Sequence, residues 1–340
     1  MSEDQALPEL KRVLLGDLLE QSSAEDLMAE MMAGEATEAQ IGAFLGTYKL
    51  RQPTTGELAG FAQAMREAGR SVDHGLDRLM DTCGTGGALV KSFNVSTTAG
   101  FIVAGAGVPV AKHGNRSVTS PSGSADVLEA LGADIELEPD GVASLLDKVG
   151  FAFLFAPTFH PAMRYAAGPR SELGVPTVFN ILGPLTNPSR PTHQLVGVGR
   201  PELVREVAET MSLVGIDGVV VHGAPGFDEV SIVGPTRYAR VEAGEVTTGH
   251  LTPSELGVES ADVSEVSGVP PDRAADLLRE ILEGQEGPRL EMVVAEAGVA
   301  LYGAGEVDDP AAGVDLAREV VEDGRAIDTL ERYIEASNEV

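Results

Sequence analysis

A glycine-rich stretch constrains this chain more than any other part of it. Gly84, Gly86 and Gly87 lie within four residues, directly after a short apolar segment that begins at Leu79. Glycine tolerates positive φ and lets the backbone come close to a ligand, so that consecutive N–H groups can surround an anion. Taken alone, such a run can also be a turn that merely reverses the chain, because short glycine motifs are weak signals.

Further phosphate-binding features follow these glycines along the chain. Asn94 and Ser96 are N-cap residue types ahead of an apolar run at 98–106, which predicts a helix N-terminus with unpaired N–H groups. Lys112 and Arg116 then add positive charge in a chain that has little of it. The glycine loop, the helix start and the basic loop together predict a site for several phosphates.

Two common phosphate motifs do not match this stretch. A Walker loop needs Gly directly before Lys-Ser, whereas Val90 precedes Lys91 and Ser92. A dinucleotide fingerprint that starts at Gly84 would need a further Gly at the position of Leu89. The predicted site therefore belongs to another class of phosphate binder.

The pattern before residue 70 predicts a bundle of helices. Pro53 lies between two predicted helices, and Gly34 and Gly69 are plausible helix ends. Two capping-box spacings precede apolar helical periodicity, and these are Ser22 with Glu25 and Thr37 with Gln40.

From Leu79 onward, short apolar segments alternate with helical patterns, which predicts an α/β domain with a mainly parallel sheet. Loops that follow such strands are where ligands bind. The expected elements are strands at 108–111, 151–155 and 218–221, a helix at 122–131, a hairpin at 236–248 and further helices at 272–337. The segment 160–191 holds several prolines and is predicted to be a connector.

Composition excludes some classes of partner and compartment. The 340 residues include 24 Lys and Arg against 53 Asp and Glu, a net charge of −29, which disfavours nucleic acid and anionic lipid as partners. An acidic surface with few lysines predicts adaptation to high salt. No apolar segment is long enough for a membrane span, and the acidic start does not resemble a signal peptide, so a cytoplasmic location is expected. Cys83 is the single cysteine and is predicted to be a buried core thiol.

The motifs closely resemble those of the anthranilate phosphoribosyltransferase family, and the resemblance runs nearly from end to end. It rests on GTGG at 84–87, FNVST at 93–97, KHGNR at 112–116, HPAMR at 160–164, RSELG at 170–174, FNILGPLTNP at 179–188 and the acidic pair at 228–229.

The resemblance implies transfer of phosphoribose from phosphoribosyl pyrophosphate to the amine of anthranilate, a step of tryptophan biosynthesis. It also implies a nucleoside-phosphorylase-like fold, with a small helical domain at 1–73 and a large α/β catalytic domain at 74–340. Part of 160–191 would pack on the helical domain. Two Mg²⁺ ions and a homodimer are expected as well.

The resemblance also implies a set of site residues. Phosphoribosyl pyrophosphate would be bound by Gly84, Thr85, Gly86, Gly87, Ala88, Ser92, Asn94, Val95, Ser96, Thr97, Lys112, His113, Gly114, Asn115, Arg116, Ser117, Ser120 and Ser124. Anthranilate would be bound by Gly84, His113, Asn115 and Arg170, metal by Ser96, Asp228 and Glu229, and catalysis would rest on Lys112, Asn115 and Arg170. No general base is expected, because the amine loses its proton as the new bond forms.

Several of these residues have ordinary structural alternatives. Asp228 and Glu229 form a pair that, in so acidic a chain, could lie on the surface. Arg170 could form an ion pair with Glu172, and Asn115 could be a turn residue. His113 could serve only as a structural hydrogen-bonding group.

Three departures from the family pattern stand out. Ala88 replaces a usual Asp, residues 269–271 (VPP) replace a glycine-rich turn, and Glu296 replaces a common Asn. The last two are expected to lie away from the site. Competing functions are a paralogue with another acceptor, a non-catalytic ligand sensor and a pyrimidine nucleoside phosphorylase. Arg170 and Asn115 argue against the paralogue, and the 228–229 pair argues against the ligand sensor. The run at 180–188 argues against the pyrimidine nucleoside phosphorylase.

Overall fold

The structure is a computed structural model that describes residues 7–117 and 122–340. Ser120, one of the predicted phosphate-binding residues, lies outside the described residues. The chain begins with four helices and continues into a seven-stranded sheet with helices on its faces.

The helical part contains α1 (Pro8–Leu14), α2 (Gln21–Ala33), α3 (Glu38–Arg51) and α4 (Thr55–Ala68). The capping box predicted for α3 is confirmed, since Gln40 N–H donates to Thr37 Oγ1 at 3.3 Å and Thr37 N–H donates to Gln40 Oε1 at 2.8 Å. The box predicted at Ser22 is wrong. Ala24 N–H donates to Glu20 O at 3.0 Å, so α2 begins earlier and Ser22 lies within its first turn.

A buried carboxylate organises the helical part. Glu57 of α4 is fully buried and accepts hydrogen bonds from the N–H groups of Leu19 and Thr54, the Tyr48 hydroxyl and the Arg51 guanidinium, at 2.6–3.0 Å. Buried charges are tolerated when they are paired and their oxygens are hydrogen-bonded. This network fixes the corner between α3 and α4, where Pro53 lies as predicted.

The sheet confirms the predicted mainly parallel architecture. Its strands are β1 (Met80–Gly84), β2 (Val110–Gly114), β3 (Phe151–Phe155), β4 (His193–Gly197), β5 (Asp217–Gly223), β6 (Thr236–Glu242) and β7 (Glu245–Leu251). Their order is β3-β2-β1-β4-β5-β6-β7; the first five are parallel, and β6 and β7 form the predicted antiparallel hairpin around Gly244. The strand expected at 108–111 begins two residues later, at Val110.

Eleven further α-helices are described. They are α5 (Val95–Gly105), α6 (Ser124–Ala130), α7 (Pro139–Lys148), α8 (Ala156–Phe159), α9 (Arg164–Leu173), α10 (Val178–Leu185), α11 (Leu203–Leu213), α12 (Ala274–Leu282), α13 (Pro288–Gly303), α14 (Pro310–Glu322) and α15 (Arg325–Ser337). Helix α13 is apolar on nearly all sides and correspondingly buried. It packs against α5 and the sheet.

The segment 160–191, predicted to be a connector, is mostly helical. Pro169 lies inside α9 and Pro184 inside α10. Each proline lacks the N–H that would donate to the carbonyl four residues earlier, so each helix has one backbone hydrogen bond fewer. Helix α9 packs against α3 and α10 against α4, so this segment joins the helical part to the sheet. Within the two described ranges, no helix is long and apolar enough to cross a membrane.

The charge imbalance leads to a prediction about salt. Exposed charges interact over about 10 Å at 0.1 M salt but only about 3 Å at 1 M, so KCl should screen the repulsion of a chain at −29. We expect the melting temperature to rise between 0.1 M and 1 M KCl in a thermal unfolding series. Choline chloride should raise it similarly if screening is the cause. A flat or falling melting temperature would contradict the predicted high-salt adaptation.

Candidate active site

The predicted phosphate loop lies at the switch point of the sheet. Strands β1 and β4 are neighbours, although two other strands and the helices between them intervene in the chain. Ligands of open α/β sheets bind in the crevice beyond the carboxyl ends of two such strands. Gly84 and Gly197 end these strands and face each other in register. The crevice is therefore bordered by two glycine-containing loops.

The loop after β1 is held open by the loop after β4. Gly86 and Gly87 have φ of +65° and +79°, as expected for a loop that directs its N–H groups outward. Thr85 N–H donates to Gly197 O at 2.8 Å, and Thr85 Oγ1 accepts Gly199 N–H at 3.4 Å. These bonds fix the loop in a defined conformation beside the crevice.

Helix α5 begins at the crevice. Asn94 occupies the N-cap position without making a side-chain cap; its amide donates instead to Ser122 O at 3.5 Å. Ser96 lies in the first turn, where backbone N–H groups have no acceptor within the helix. The amides of Ser96 and Thr97 can therefore contribute to binding an anion.

Lys112 is buried beneath this helix start. Its side chain is on β2 and is 2% exposed, and its ammonium group donates to Ser96 Oγ at 3.2 Å and to the Thr82 carbonyl. Burial lowers the pKa of Lys112, while the nearby Asp81 carboxylate opposes that change. The positive charge thus acts on the crevice from behind the Ser96 hydroxyl.

Asp81 holds the end of β2 in place. It accepts hydrogen bonds from His113 N–H at 3.2 Å, from the Asn187 amide at 2.9 Å and from the Gln194 amide at 3.4 Å. Burial raises the pKa of Asp81 to about 6, whereas Lys112 and these donors oppose the rise. Asp81 was not among the predicted site residues, because two of its partners, Asn187 and Gln194, lie more than 100 positions away in sequence.

The acidic pair 228–229 lies between β5 and β6 and borders a cavity of about 110 Å³. Glu229 Oε1 accepts a hydrogen bond from Ser92 Oγ at 2.6 Å. Its Oε2 atom is buried and has no partner among the described residues. Burial and the adjacent Asp228 raise the pKa of Glu229 well above its usual value. Such a carboxylate is suited to a cation.

Asp228 belongs to the same cavity and also contacts the glycine loop. Burial raises the pKa of Asp228, whereas Lys91 and a hydrogen bond from Gly86 N–H oppose the rise. Hard carboxylate oxygens suit Mg²⁺, which usually takes one or two of them and completes its shell with phosphates and water. Within the described ranges, no three His, Cys, Asp or Glu side chains form a metal-binding group.

Two departures from the family pattern lie at this cavity, contrary to expectation. Val269 lines it together with the acidic pair. Glu296 of α13 reaches the same loop, where its Oε2 accepts Val230 N–H at 2.6 Å. The sequence placed both residues far from the motifs, but the packing of α13 on the sheet brings Glu296 to this loop.

A second cavity, of about 520 Å³, separates the helical part from the sheet. Its lining residues include Met65, Cys83, Gly84, Thr85, His113, Asn115, His160, Arg170, Phe179 and Asn180. The Arg170 guanidinium lies 5.4 Å from the centre of the Phe179 ring, and burial lowers its pKa. No ion pair with Glu172 is formed among the described residues. An apolar wall with one guanidinium suits a small aromatic anion.

Two neutral histidines face this second cavity. The rings of His113 and His160 are 5.1 Å apart, and burial lowers their pKa values to about 3 and about 4. His113 Nδ1–H donates to Gly183 O at 3.3 Å, which leaves Nε2 as an acceptor. In the described part of the chain, Nε2 of each ring is buried without a partner. His160 was not among the predicted site residues, although it begins the HPAMR motif.

Several predicted phosphate ligands are engaged elsewhere. The Arg116 guanidinium pairs with Glu129 and Asp126 of α6. Ser117 N–H donates to Asp126 at 3.0 Å, and Ser124 Oγ donates to the Asn115 carbonyl at 3.4 Å. These contacts stabilise the start of the loop after Gly114 on α6.

Apolar site residues contribute differently from the polar ones. Ala88 and Val95 are buried and have no polar side-chain atom, so they could bind a ligand only through backbone groups, whereas Thr97 is buried and keeps a hydroxyl. Cys83 is half-buried and borders the second cavity, so its predicted place in the core is wrong. Burial raises the pKa of its thiol to about 12, which argues against a nucleophile.

Family models and a curated relative match this chain over most of its length. Residues 76–327 match the family model described as "Glycosyl transferase family, a/b domain", and residues 8–69 match "Glycosyl transferase family, helical bundle domain". A curated relative from Desulforudis audaxviator, named anthranilate phosphoribosyltransferase, is 50% identical over 327 residues, which cover 96% of this chain and 94% of the relative.

Two solved structures are similar over the whole chain. The anthranilate phosphoribosyltransferase of Thermus thermophilus has a TM-score of 0.93 and 42% identity, with coverage of 98% of this chain and 100% of that one. The Saccharomyces cerevisiae enzyme in complex with PRPP and Mg has a TM-score of 0.90 and 28% identity, with coverage of 100% and 99%. These matches confirm the resemblance identified from the motifs.

Proposed function

Because this chain belongs to the anthranilate phosphoribosyltransferase family, we propose that it transfers phosphoribose from phosphoribosyl pyrophosphate to anthranilate in tryptophan biosynthesis. The observation that supports this most directly is that the phosphate crevice and the second cavity meet at the glycine loop. Gly84 and Thr85 belong to the phosphate crevice and also line the cavity that contains Arg170. A phosphorylated sugar in the crevice would therefore meet an aromatic acid in the cavity.

The reaction breaks the bond between the anomeric carbon and pyrophosphate and forms a bond from that carbon to the anthranilate nitrogen. The carbon passes through an oxocarbenium-like state, and the nitrogen releases one proton as the bond forms. Lys112, acting behind Ser96, and the N-terminus of α5 stabilise the negative charge that develops on the departing pyrophosphate. Arg170 and Asn115 orient the acceptor, which brings a weak nucleophile into position.

Magnesium fits the chain's own residues. The unpartnered Glu229 Oε2 and the mutual repulsion of Asp228 and Glu229 favour a bound cation, which would neutralise pyrophosphate charge. Ser96 does not line the same cavity as the acidic pair. Two ions therefore fit this arrangement, one near Ser96 and one near Asp228 and Glu229.

The direct test follows anthranilate fluorescence in the presence of purified protein. Fluorescence should decrease only when phosphoribosyl pyrophosphate and Mg²⁺ are both present. A constant signal together with turnover of another aromatic acceptor would favour the paralogue. Binding of phosphoribosyl pyrophosphate without turnover of any acceptor would favour the ligand sensor.

Arg170→Ala should mainly weaken anthranilate binding. Loss of a charge-assisted pair costs about 1.5–3 kcal/mol, which corresponds to roughly a 10- to 100-fold rise in the KM for anthranilate. The KM for phosphoribosyl pyrophosphate should stay nearly unchanged, because Arg170 lies in the second cavity and outside the phosphate crevice. Equal losses for both substrates in steady-state kinetics would instead make Arg170 a structural residue.

A homodimer formed through the helical part and a cytoplasmic location complete the proposal. Leu14, Leu15 and Leu18, at and just after the end of α1, are 52%, 76% and 59% exposed, and Leu50 of the neighbouring α3 is 90% exposed. Contiguous exposed apolar side chains are typical of interaction sites. Light scattering should give twice the chain mass for the wild type, and Leu15→Glu with Leu50→Glu should give a monomer.

A further inference from the structure

Glu296 is a buried carboxylate in the middle of α13. It is 2% exposed, and its Oε2 accepts the N–H of Val230 at 2.6 Å, across 66 positions of sequence. Val230 directly follows Glu229 and is itself fully buried. The hydrogen bond to Glu296 is therefore made by the peptide group that links Glu229 to Val230.

Several contacts hold this pair and its neighbours, and the Gly86 N–H bond to Asp228 is one of them. On one side, the Asp228 carbonyl lies against Gly197 at the end of β4. At the centre, Ser92 Oγ donates to Glu229 Oε1. On the other side, the bond to Glu296 satisfies a backbone donor that would otherwise be buried without an acceptor. Loss of that bond would release the segment at the position nearest the two carboxylates.

We propose that Glu296 is a positioning residue for the cation-binding pair. Its carboxylate fixes Val230 N–H and thereby the orientation of Asp228 and Glu229 toward a divalent cation. The inference rests on the proposed magnesium site, because Glu296 has this role only where Asp228 and Glu229 bind the cation. It adds a residue of α13 that does not itself contact the metal.

The hydrogen bond needs only an oxygen acceptor of the right length. Burial and the nearby Asp228 raise the pKa of Glu296 to about 7 while Lys112 opposes the rise, yet both the acid and the carboxylate keep an acceptor oxygen. Glutamine keeps the same length and an acceptor, whereas methionine fills a similar volume with an unbranched apolar chain. Glu296→Gln and Glu296→Met therefore separate the hydrogen bond from the packing.

The experiment measures Mn²⁺ binding by electron paramagnetic resonance, with and without phosphoribosyl pyrophosphate. Removing the support of a metal ligand typically costs about 10- to 100-fold in affinity, so Glu296→Met should weaken Mn²⁺ binding by about that factor. Glu296→Gln should bind Mn²⁺ nearly as the wild type does, because its amide oxygen can still accept the Val230 N–H. Glu291→Met is the matched control, because Glu291 lies on the same helix but pairs with Arg318. It should bind Mn²⁺ as the wild type does.

The inference is overturned if Glu296→Met binds Mn²⁺ normally, or if Glu296→Gln is as weak as Glu296→Met. If Glu296→Met does not fold, hydrogen exchange in the wild type and in Glu296→Gln decides. The Val230 amide should be protected in both, and rapid exchange in the wild type would refute the inference. If the wild type binds Mn²⁺ but consumes no anthranilate, only the proposed acceptor is contradicted, and the inference about Glu296 stands. A wild type that binds no Mn²⁺ would overturn the metal site and this inference together.

Discussion

Replacing Asp228 with Asn and Glu229 with Gln together should lower kcat/KM at limiting Mg²⁺ by more than about 100-fold, because the variant loses metal ligands themselves and not only their support. Amides are poor ligands for Mg²⁺. The fold should remain, because burial already disfavours the charge on both side chains. Neutral amides remove that cost, so the melting temperature without metal should not fall.

The matched control for this double variant is Glu25→Gln with Asp26→Asn. It changes the net charge by the same amount on α2, away from the crevice. Its activity should match that of the wild type across a Mg²⁺ titration of initial rates. Wild-type activity of the 228–229 variant at limiting Mg²⁺ would show that the metal lies elsewhere.

The parts of the site that could be predicted are those formed by contiguous backbone. The glycine loop works through positive φ at Gly86 and Gly87, which residue type alone favours. The start of α5 close after it follows from local polarity and an apolar run. The α/β domain could be predicted because alternating strands and helices leave few arrangements of the sheet, whereas the family was indicated by the resemblance of the motifs.

The parts that could not be predicted depend on which face of an element packs inward. Glu296 looks like any acidic residue in an acidic chain, and only the burial of α13 on all sides places it behind the 228–229 pair. Arg116 ends the KHGNR motif and was predicted to bind phosphate. The sequence did not indicate that its guanidinium pairs with Glu129 of α6. Lys112 was predicted to bind phosphate, and only the structure shows that its side chain, on a buried strand, lies beside Ser96 and Thr82.

The connector predicted at 160–191 shows a different limit. Proline disfavours helix interiors, so the several prolines of this segment did not indicate helices. Both helices are short and pack against the helical part, so that tertiary contacts compensate for the missing N–H groups. Local propensity is a weak guide where a segment is buried between two units.

Gly197→Ala should lower kcat/KM by about 100-fold, because a misplacement of only about 1 Å can cost that much in a positioned active site. A Cβ at Gly197 would lie 1.6 Å from the Asp228 carbonyl oxygen. The backbone of residue 197 fixes the position of this Cβ, and the carbonyl oxygen is itself a backbone atom. No side-chain rotation can therefore relieve the overlap, and the loop that carries Asp228 and Glu229 must move. Overpacking of this kind also costs about 1–3 kcal/mol of stability, which chemical denaturation would measure.

Gly42→Ala is the control for this substitution. Gly42 lies within α3, where an added Cβ meets no atom within 4 Å. Alanine there should leave activity unchanged and raise stability by up to about 1 kcal/mol, since it favours the helix over glycine. Excess Mg²⁺ should recover part of the Gly197→Ala activity if the loop shift acts by weakening the metal site. Gly197→Ala with wild-type rates and stability would mean that the Asp228 loop does not lie against the end of β4.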